Sequence, residues 1–502
     1  MSFYGRCLLF GGVLLLASCA AGPRYRVPKP DTPAAFAVQP VSVTADVDLA
    51  KWWKSLNDQE LDSLVDRAVK SNLDLQIALD RLQQARTYEA VVLGHALPEV
   101  DATGAAARGT GSDLARGRAE QGLVSADNAA GLQHINTLVG FDAVWELDLF
   151  GKFRREFEAA RADAEGARAA RNGVLTAVVA DVVRGYIDLR GLQTRASVLH
   201  QAAGLLQESL RIVKIRYQRG ITNELDVALA DRELATLEAQ IPPLEAQIGA
   251  AQYALAVLTG EYPEKLLAEL SAADLIPAIP PPVAPGVPLD LLKRRPDIQE
   301  AERQLAAATA RIGVATADLF PQIGVVGSIG AEGQGLGTMP SVSRHVWSFG
   351  PAAVWPLLDF GALDAQVDIA DLAAQSKLTE YRKAILNAVQ QVDSSLSAYQ
   401  GEQRRLERLG GAMIAGQRAV DLATARYDRG LTDFLNVVDA ERQFYELQEQ
   451  YAQAQVAQGE QFVQLYKSLG GGWQDYQAVP GIRAPQPAII AAFRRILSRS
   501  SP

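Results

Sequence analysis

Cysteine is nearly absent: among 502 residues there are two, Cys7 and Cys19, both inside the first nineteen positions. The body of the chain therefore has no disulfide framework and no thiolate metal site. Its four histidines (His95, His134, His200, His345) are scattered without ligand spacing, so no metal and no cofactor is expected. Basic residues are in deficit, 49 against 58 acidic for a net charge of −9, which removes the basic face that phosphate contacts need and excludes nucleic acid as a partner. No P-loop, HExxH, G-x-S-x-G or CxxC occurs, and Gly333-Gln-Gly335-Leu-Gly337 lacks the spacing of a dinucleotide loop, so no enzyme is expected. Aromatics are 7% and methionines three, leaving Ala, Leu and Val to build the core. Past the first nineteen residues no apolar run reaches the ~18 residues of a transmembrane helix, so any spanning structure must be a β-barrel. With 48% hydrophobic residues, 21% charged and a mean hydropathy near zero, the chain is neither disordered nor a polytopic helical membrane protein.

The N-terminus has the pattern of a secretory signal over residues 1–18. Arg6 supplies the positive region, Leu8 to Leu16 the apolar run, and Leu16-Ala17-Ser18-Cys19 the cleavage region. The small residues before Cys19 resemble a bacterial lipobox. That resemblance implies diacylglyceryl transfer to the Cys19 sulfur, cleavage before it and N-acylation, with palmitate among the chains. Ala20 in place of Asp favours the outer membrane by the same resemblance. Chains contributing ~0.8 kcal/mol per buried CH₂ anchor stably when two or three are attached.

An internal duplication organises the rest. Asp74-Leu75-Gln76-Ile77-Ala78 matches Asp297-Ile298-Gln299-Glu300-Ala301 at an offset of 223, and each Asp is followed 24 residues later by a proline, Pro98 or Pro321. Trp145 to Gly151 matches Trp355 to Gly361, and Arg216-Tyr217-x-x-Gly220 matches Arg426-Tyr427-x-x-Gly430, both at 210. The expected organisation is a lipidated extension 19–59, a first repeat 60–260, a Pro-rich linker 261–282, a second repeat 283–470 and a tail 471–502.

Within each repeat the periodicity changes. Val139 to Leu149 alternates apolar odd positions with mostly polar or small even ones, as a strand with a lipid face and a lumen face does. Pro98 to Arg108, Pro321 to Gly330 and Trp347 to Leu357 alternate more weakly, giving hairpins over 98–149 and 320–357 with loops at 109–133 and 333–343. Lys152 to Arg219 and Ala362 to Arg429 contain no proline and repeat apolar residues at three- and four-residue steps. A helix of 68 residues is ~100 Å long, more than a membrane core or a compact domain holds. Such helices pack as coiled coils, antiparallel here because Gly220 and Gly430 each sit in a short turn before another helix. Pro242 and Pro243 should kink the returning helix of the first repeat. Four strands cannot close a barrel, so copies must pool them, and a dimer, trimer or tetramer with eight, twelve or sixteen strands all satisfy that requirement. The fold class is thus a membrane β-barrel plus long α-helical coiled coils (α+β), with four strands per chain.

These features resemble the outer membrane factor family, the TolC-like and NodT-like exit ducts of bacterial tripartite efflux pumps. The resemblance rests on Cys19, Trp145 to Gly151, Arg294 to Glu302, and the twin segments Arg216 to Val227 and Arg426 to Ala440. It implies a homotrimer with a 12-stranded barrel, a periplasmic helical barrel, and partnership with a periplasmic adaptor (membrane fusion protein) and an inner-membrane transporter of the resistance-nodulation-division (RND) class. Small molecules would pass passively through a duct held by outer membrane lipid, with multidrug resistance the associated role. It further implies a periplasmic gate at the helix tips, with Leu435 and Asp439 forming rings, Arg442 locking, Asp226 as the acidic counterpart and Tyr427 bonding across coils, and adaptor contact around Gly220 and Gly430. Asn436 stands where Asp is common and Thr432 where some members carry a locking Arg. Type I protein secretion, or a structural coiled-coil lipoprotein without a pore, are the alternative functions.

Overall fold

The computed structural model describes residues 20–30, 32–38, 48–108, 135–272, 275–281, 288–334 and 344–476. Cys19, the signal segment and the expected loop 109–133 lie outside these residues. The first half contains α1 (Gln59–Ser71), α2 (Leu73–His95), β1 (Glu99–Arg108), β2 (Ile135–Glu146), α3 (Lys152–Gln218), α4 (Glu224–Glu238) and α5 (Ile241–Thr259). Short helices α6 (Pro263–Leu267) and α7 (Pro288–Arg294) follow. The second half contains α8 (Pro296–Ala317), β3 (Gln322–Gln334), β4 (Arg344–Val354), α9 (Ala362–Asp428) and α10 (Phe434–Ser468).

The strands form one antiparallel sheet in the order β1-β2-β3-β4, and above the coils the helices are neighbours in the matching order α2-α3-α8-α9. Repeat-related side chains make repeat-related bonds. Trp145 Nε1 donates to the Ala96 carbonyl (3.1 Å) and Trp355 Nε1 to the Leu319 carbonyl (3.2 Å), each tying a strand to the end of the preceding helix. Strand bounds differ from the sequence expectation. β2 spans 135–146 and not 139–149, β4 spans 344–354 and not 347–357, and β3 continues to Gln334, inside the expected loop 333–343. Pro356, which has no N–H to donate, lies two residues past the end of β4. Along β2, Val139, Phe141 and Trp145 are exposed whereas Gly140 and Asp142 are buried, with Thr103 Oγ1 donating to the Asp142 carboxylate (2.8 Å). One departure is Val144, an even position that is exposed as well.

Each long helix is 67 residues, ~100 Å at 1.5 Å per residue. The glycines that begin them, Gly151 and Gly361, hold φ of 83° and 85°, left-handed values that cost a residue with a Cβ. The return differs between halves. In place of one kinked helix, the first half has two, because Pro242 and Pro243 cannot supply the N–H groups that would bond back to α4 and so begin α5. The second half, with no proline there, keeps α10 as 35 continuous residues.

The largest core lies midway, where Trp52 stacks on Tyr466 (5.1 Å) amid Leu175, Val179, Val183 and Phe462. Three expected boundaries cross it. Trp52 and Trp53 belong to a short 3₁₀ helix, Leu49–Leu56, buried within the expected extension. The expected linker holds α6, and its Pro280 carbonyl accepts from Tyr399 Oη (3.1 Å). The expected tail starts inside the core, since Trp473 is buried with Nε1 donating to the Arg294 carbonyl (3.0 Å).

Candidate functional site

The two helix turns opposite the sheet are built alike. Gly220 and Gly430 take φ of 71° and 72°, and each donates to the carbonyl of the tyrosine three residues earlier, Tyr217 or Tyr427 (2.9 Å each). Ile221 and Leu431 donate to Arg216 and Arg426 (2.9 Å each), completing a Schellman closure of the long helices. The next helix starts at Asn223, whose side chain accepts from Asp226 N (3.0 Å). Thr222 Oγ1 donates to the Asp226 carboxylate, and Asn436 Nδ2 donates to Thr432 Oγ1 (2.7 Å) at the repeat-equivalent positions. The carboxylate of Asp226 thus serves its own turn, and Asn436 keeps the same pairing without the charge and with donor and acceptor exchanged.

Leu435 and its equivalent Leu225 are exposed beside these turns. Asp439 lies one turn further along α10, where its oxygens accept from Arg442 Nη2 (2.8 Å) and Gln443 Nε2 (2.7 Å), while Arg442 Nη1 reaches Glu446 (2.8 Å). These ion pairs are exposed and lie within one helix, so inside a single chain Arg442 locks nothing to the other coil. Tyr427 does cross between coils. The Arg216 guanidinium sits 4.4 Å over its ring and Phe434 lies 5.3 Å from it. Arg216 also approaches Asp428 (4.0 Å), and Arg195 of α3 pairs with Glu449 of α10 higher up. An apolar cluster of Leu206, Leu210, Val213, Leu234, Phe434, Val437 and Val438 joins the coils at this level.

Sequence reading missed two participants. Arg216 was visible in the twin motif, but its role as a cation on Tyr427 of the other repeat depends on how the coils dock. Glu441 is buried, with Oε2 lacking a hydrogen-bond partner, and burial pushes its carboxyl up to about 7. Its signal was a lone carboxylate three and four residues from Val438, Val437, Phe444 and Tyr445 on an apolar stripe.

The described residues contain no group of His, Cys, Asp and Glu able to hold a metal ion and no helix apolar enough to cross a membrane. The outer membrane efflux protein family matches residues 64–261 and 287–471, the two halves of the duplication. The chain belongs to the outer membrane efflux protein family. Nodulation protein T of Rhizobium leguminosarum bv. trifolii is 30% identical over 92% of this chain and 96% of its own length. The pyoverdine export outer membrane protein OpmQ of Pseudomonas aeruginosa is 30% identical over 93% of this chain and 96% of its own. The outer-membrane channel OprN has a solved structure that covers 91% of this chain and all of its own, at 35% identity and a TM-score of 0.80. This member of the outer membrane efflux protein family is therefore a channel of the outer membrane with a periplasmic helical extension, and not an enzyme. In such a channel the strands meet lipid and the helix turns lie at the periplasmic end.

Proposed function

We propose that this channel is the exit duct of a tripartite efflux pump. Three copies pool their strands into a 12-stranded barrel, and the duct receives drugs or other small molecules from an RND transporter through a periplasmic adaptor that meets the Gly220 and Gly430 turns. The observation that carries the reading is the matching order of strands and helices: one layer continues from the sheet into the coils and ends in two equivalent turns. The pyoverdine exporter among the relatives favours a small-molecule cargo over a protein. The Cys19 lipid fits as well, because Ala21 N donates to the Phe150 carbonyl (2.9 Å), which ties the first described residues to the strand-helix junction.

The gate of this reading is Leu435, Asp439 and Arg442, with Asp226 and Tyr427 holding the turns. Copies of Asp439 around an axis concentrate negative potential, and the Arg442 guanidinium beside each one offsets it, so closure keeps both groups. The test is single-channel recording in planar bilayers. Asp439→Ala combined with Arg442→Ala raises conductance if the ring closes the duct, and an unchanged conductance rejects these residues as the gate.

A further inference from the structure

The junction between β2 and α3 and the junction between β4 and α9 are equivalents at an offset of 210, yet their chemistry differs. The first, from Glu146 to Arg154, holds four charged residues: Glu146, Asp148, Lys152 and Arg154. Asp148 accepts from Phe153 N (3.2 Å), Arg154 N (3.1 Å) and Arg154 Nε (3.1 Å), so its carboxylate caps α3 and its charge is paired. In the second junction Pro356 and Ala362 stand at the positions of Glu146 and Lys152, and Leu358 at that of Asp148. The capping carboxylate has moved one residue on, to Asp359, which accepts from Gly361 N (3.2 Å) and Leu363 N (2.7 Å). α9 keeps its cap, and position 358 is free to be apolar.

Leu357 and Leu358 are 71% and 86% exposed, whereas their equivalents Leu147 and Asp148 are partly covered. The cover over the two junctions differs as well. A Cβ on Gly151 would lie 2.7 Å from Ala20 of the N-terminal segment, while a Cβ on Gly361 would meet nothing within 4 Å. The neighbouring sheet says what the two leucines face. Phe141 pairs with Ile329 and Ile329 with Trp347, so these exposed side chains, with Phe349 two residues on, share one apolar face. Alternation carries that face from Phe349 through Trp355 to Leu357, past the last ladder pair, Gln322↔Val354. With 11 residues, β4 has the ~9–11 of a tilted spanning strand, so this junction lies at the periplasmic boundary of the hydrocarbon.

We propose that Leu357 and Leu358 insert into the periplasmic leaflet of the outer membrane as an apolar wedge, with phospholipid acyl chains as their partner. The wedge continues the lipid face of β4 beyond its last ladder bond and holds the second junction to the leaflet. The first junction is held instead by residues 20–22 of its own chain, through Ala21 N on the Phe150 carbonyl (2.9 Å) and Arg155 on the Ala21 (2.9 Å) and Gly22 (3.1 Å) carbonyls. The polar groups beside the leucines suit a lipid partner. Pro356 has no N–H to leave unbonded in hydrocarbon, and the Asp359 carboxylate is turned onto the first N–H groups of α9. Two leucines lifted from water in this way gain the burial that the chain itself does not give them.

The test exploits the scarcity of cysteine. Leu358→Cys in the full chain is labelled with an environment-sensitive nitrobenzoxadiazole dye and reconstituted into phospholipid vesicles, with the unsubstituted chain as the blank for Cys19. Phe349→Cys, on the lipid face of β4, and Asp368→Cys, exposed in the second turn of α9, are labelled in the same way. The dye at 358 should lose fluorescence to a nitroxide carried near the headgroup end of a lipid acyl chain and be shielded from aqueous iodide. At 368 the order reverses, with loss to iodide and none to the lipid nitroxide. Quenching at 358 by iodide alone puts the residue in water, and quenching by neither agent puts it under protein, a second copy included. Either result overturns the wedge. If the lipid nitroxide quenches at 349 and not at 358, the wedge alone fails; if it quenches at neither, the lipid face of the strands fails with it.

Discussion

Replacing Glu441 by Gln tests whether the apolar seam between the tip coils carries a buried charge. The residue is 9% exposed, and burial holds its carboxyl near 7 against an ordinary 4.5. Below about pH 4.5 it is protonated in both folded and unfolded chains. Between there and about 7 the folded chain keeps a proton that the unfolded chain has released, so stability falls as pH rises and levels off above 7. The full difference is on the order of 3 kcal/mol. Glutamine has nearly the same shape and never ionises, so the variant escapes the loss. Hydrogen exchange of residues 434–445, corrected for the intrinsic pH dependence of exchange, reads the local opening. Protection in Glu441→Gln should exceed that of the unsubstituted chain by on the order of a few hundredfold at pH 8 and by only about fourfold at pH 5. Equal protection at pH 8, or the same gain at both pH values, would refute the reasoning.

Three further outcomes follow from named contacts. Cys19→Ser should abolish incorporation of radiolabelled palmitate, and persistence of label would reject Cys19 as the acceptor. Gly151→Ala places a Cβ 2.7 Å from Ala20 on a left-handed backbone, whereas Gly361→Ala meets open space at nearly the same φ. Trypsin should therefore cut at Arg24 and Arg26 faster in the first variant only, and equal rates would show that residues 20–26 are not held by this junction. Trp52→Ala removes the ring stacked on Tyr466 in the main core, a loss of about 3–5 kcal/mol by the usual cost of emptying such a site. Chemical denaturation monitored by tryptophan fluorescence measures it, and a loss below about 1 kcal/mol would place Trp52 outside the cooperative core.

Much of the fold was legible because periodicity and duplication are properties of local sequence. The long helices end within a residue of their expected limits, since Gly151, Gly220, Gly361 and Gly430 are sites where the backbone turns left-handed. The strands were found but displaced, by four residues at the start and three at the end of β2 and by three at both ends of β4, because alternation runs past the last residue that has a ladder partner. At the tips the turns were readable and the partners were not. Arg442 bonds along its own helix, while Arg216 crosses to Tyr427, a residue 211 positions away in the chain.

The sequence by itself determined the two-fold repeat, the alternation of strand and long helix, and the need for more than one copy. Each of these follows from composition or from spacing along the chain. Only the tertiary structure decided that Trp52, Trp53 and Trp473, from segments read as extension and tail, complete one core, that Asp226 serves its turn, and that Glu441 is buried. The physical reason is that burial and pairing depend on which helix faces lie against each other. Two helices of 67 residues with similar apolar stripes can dock in many ways, and only the folded packing selects one.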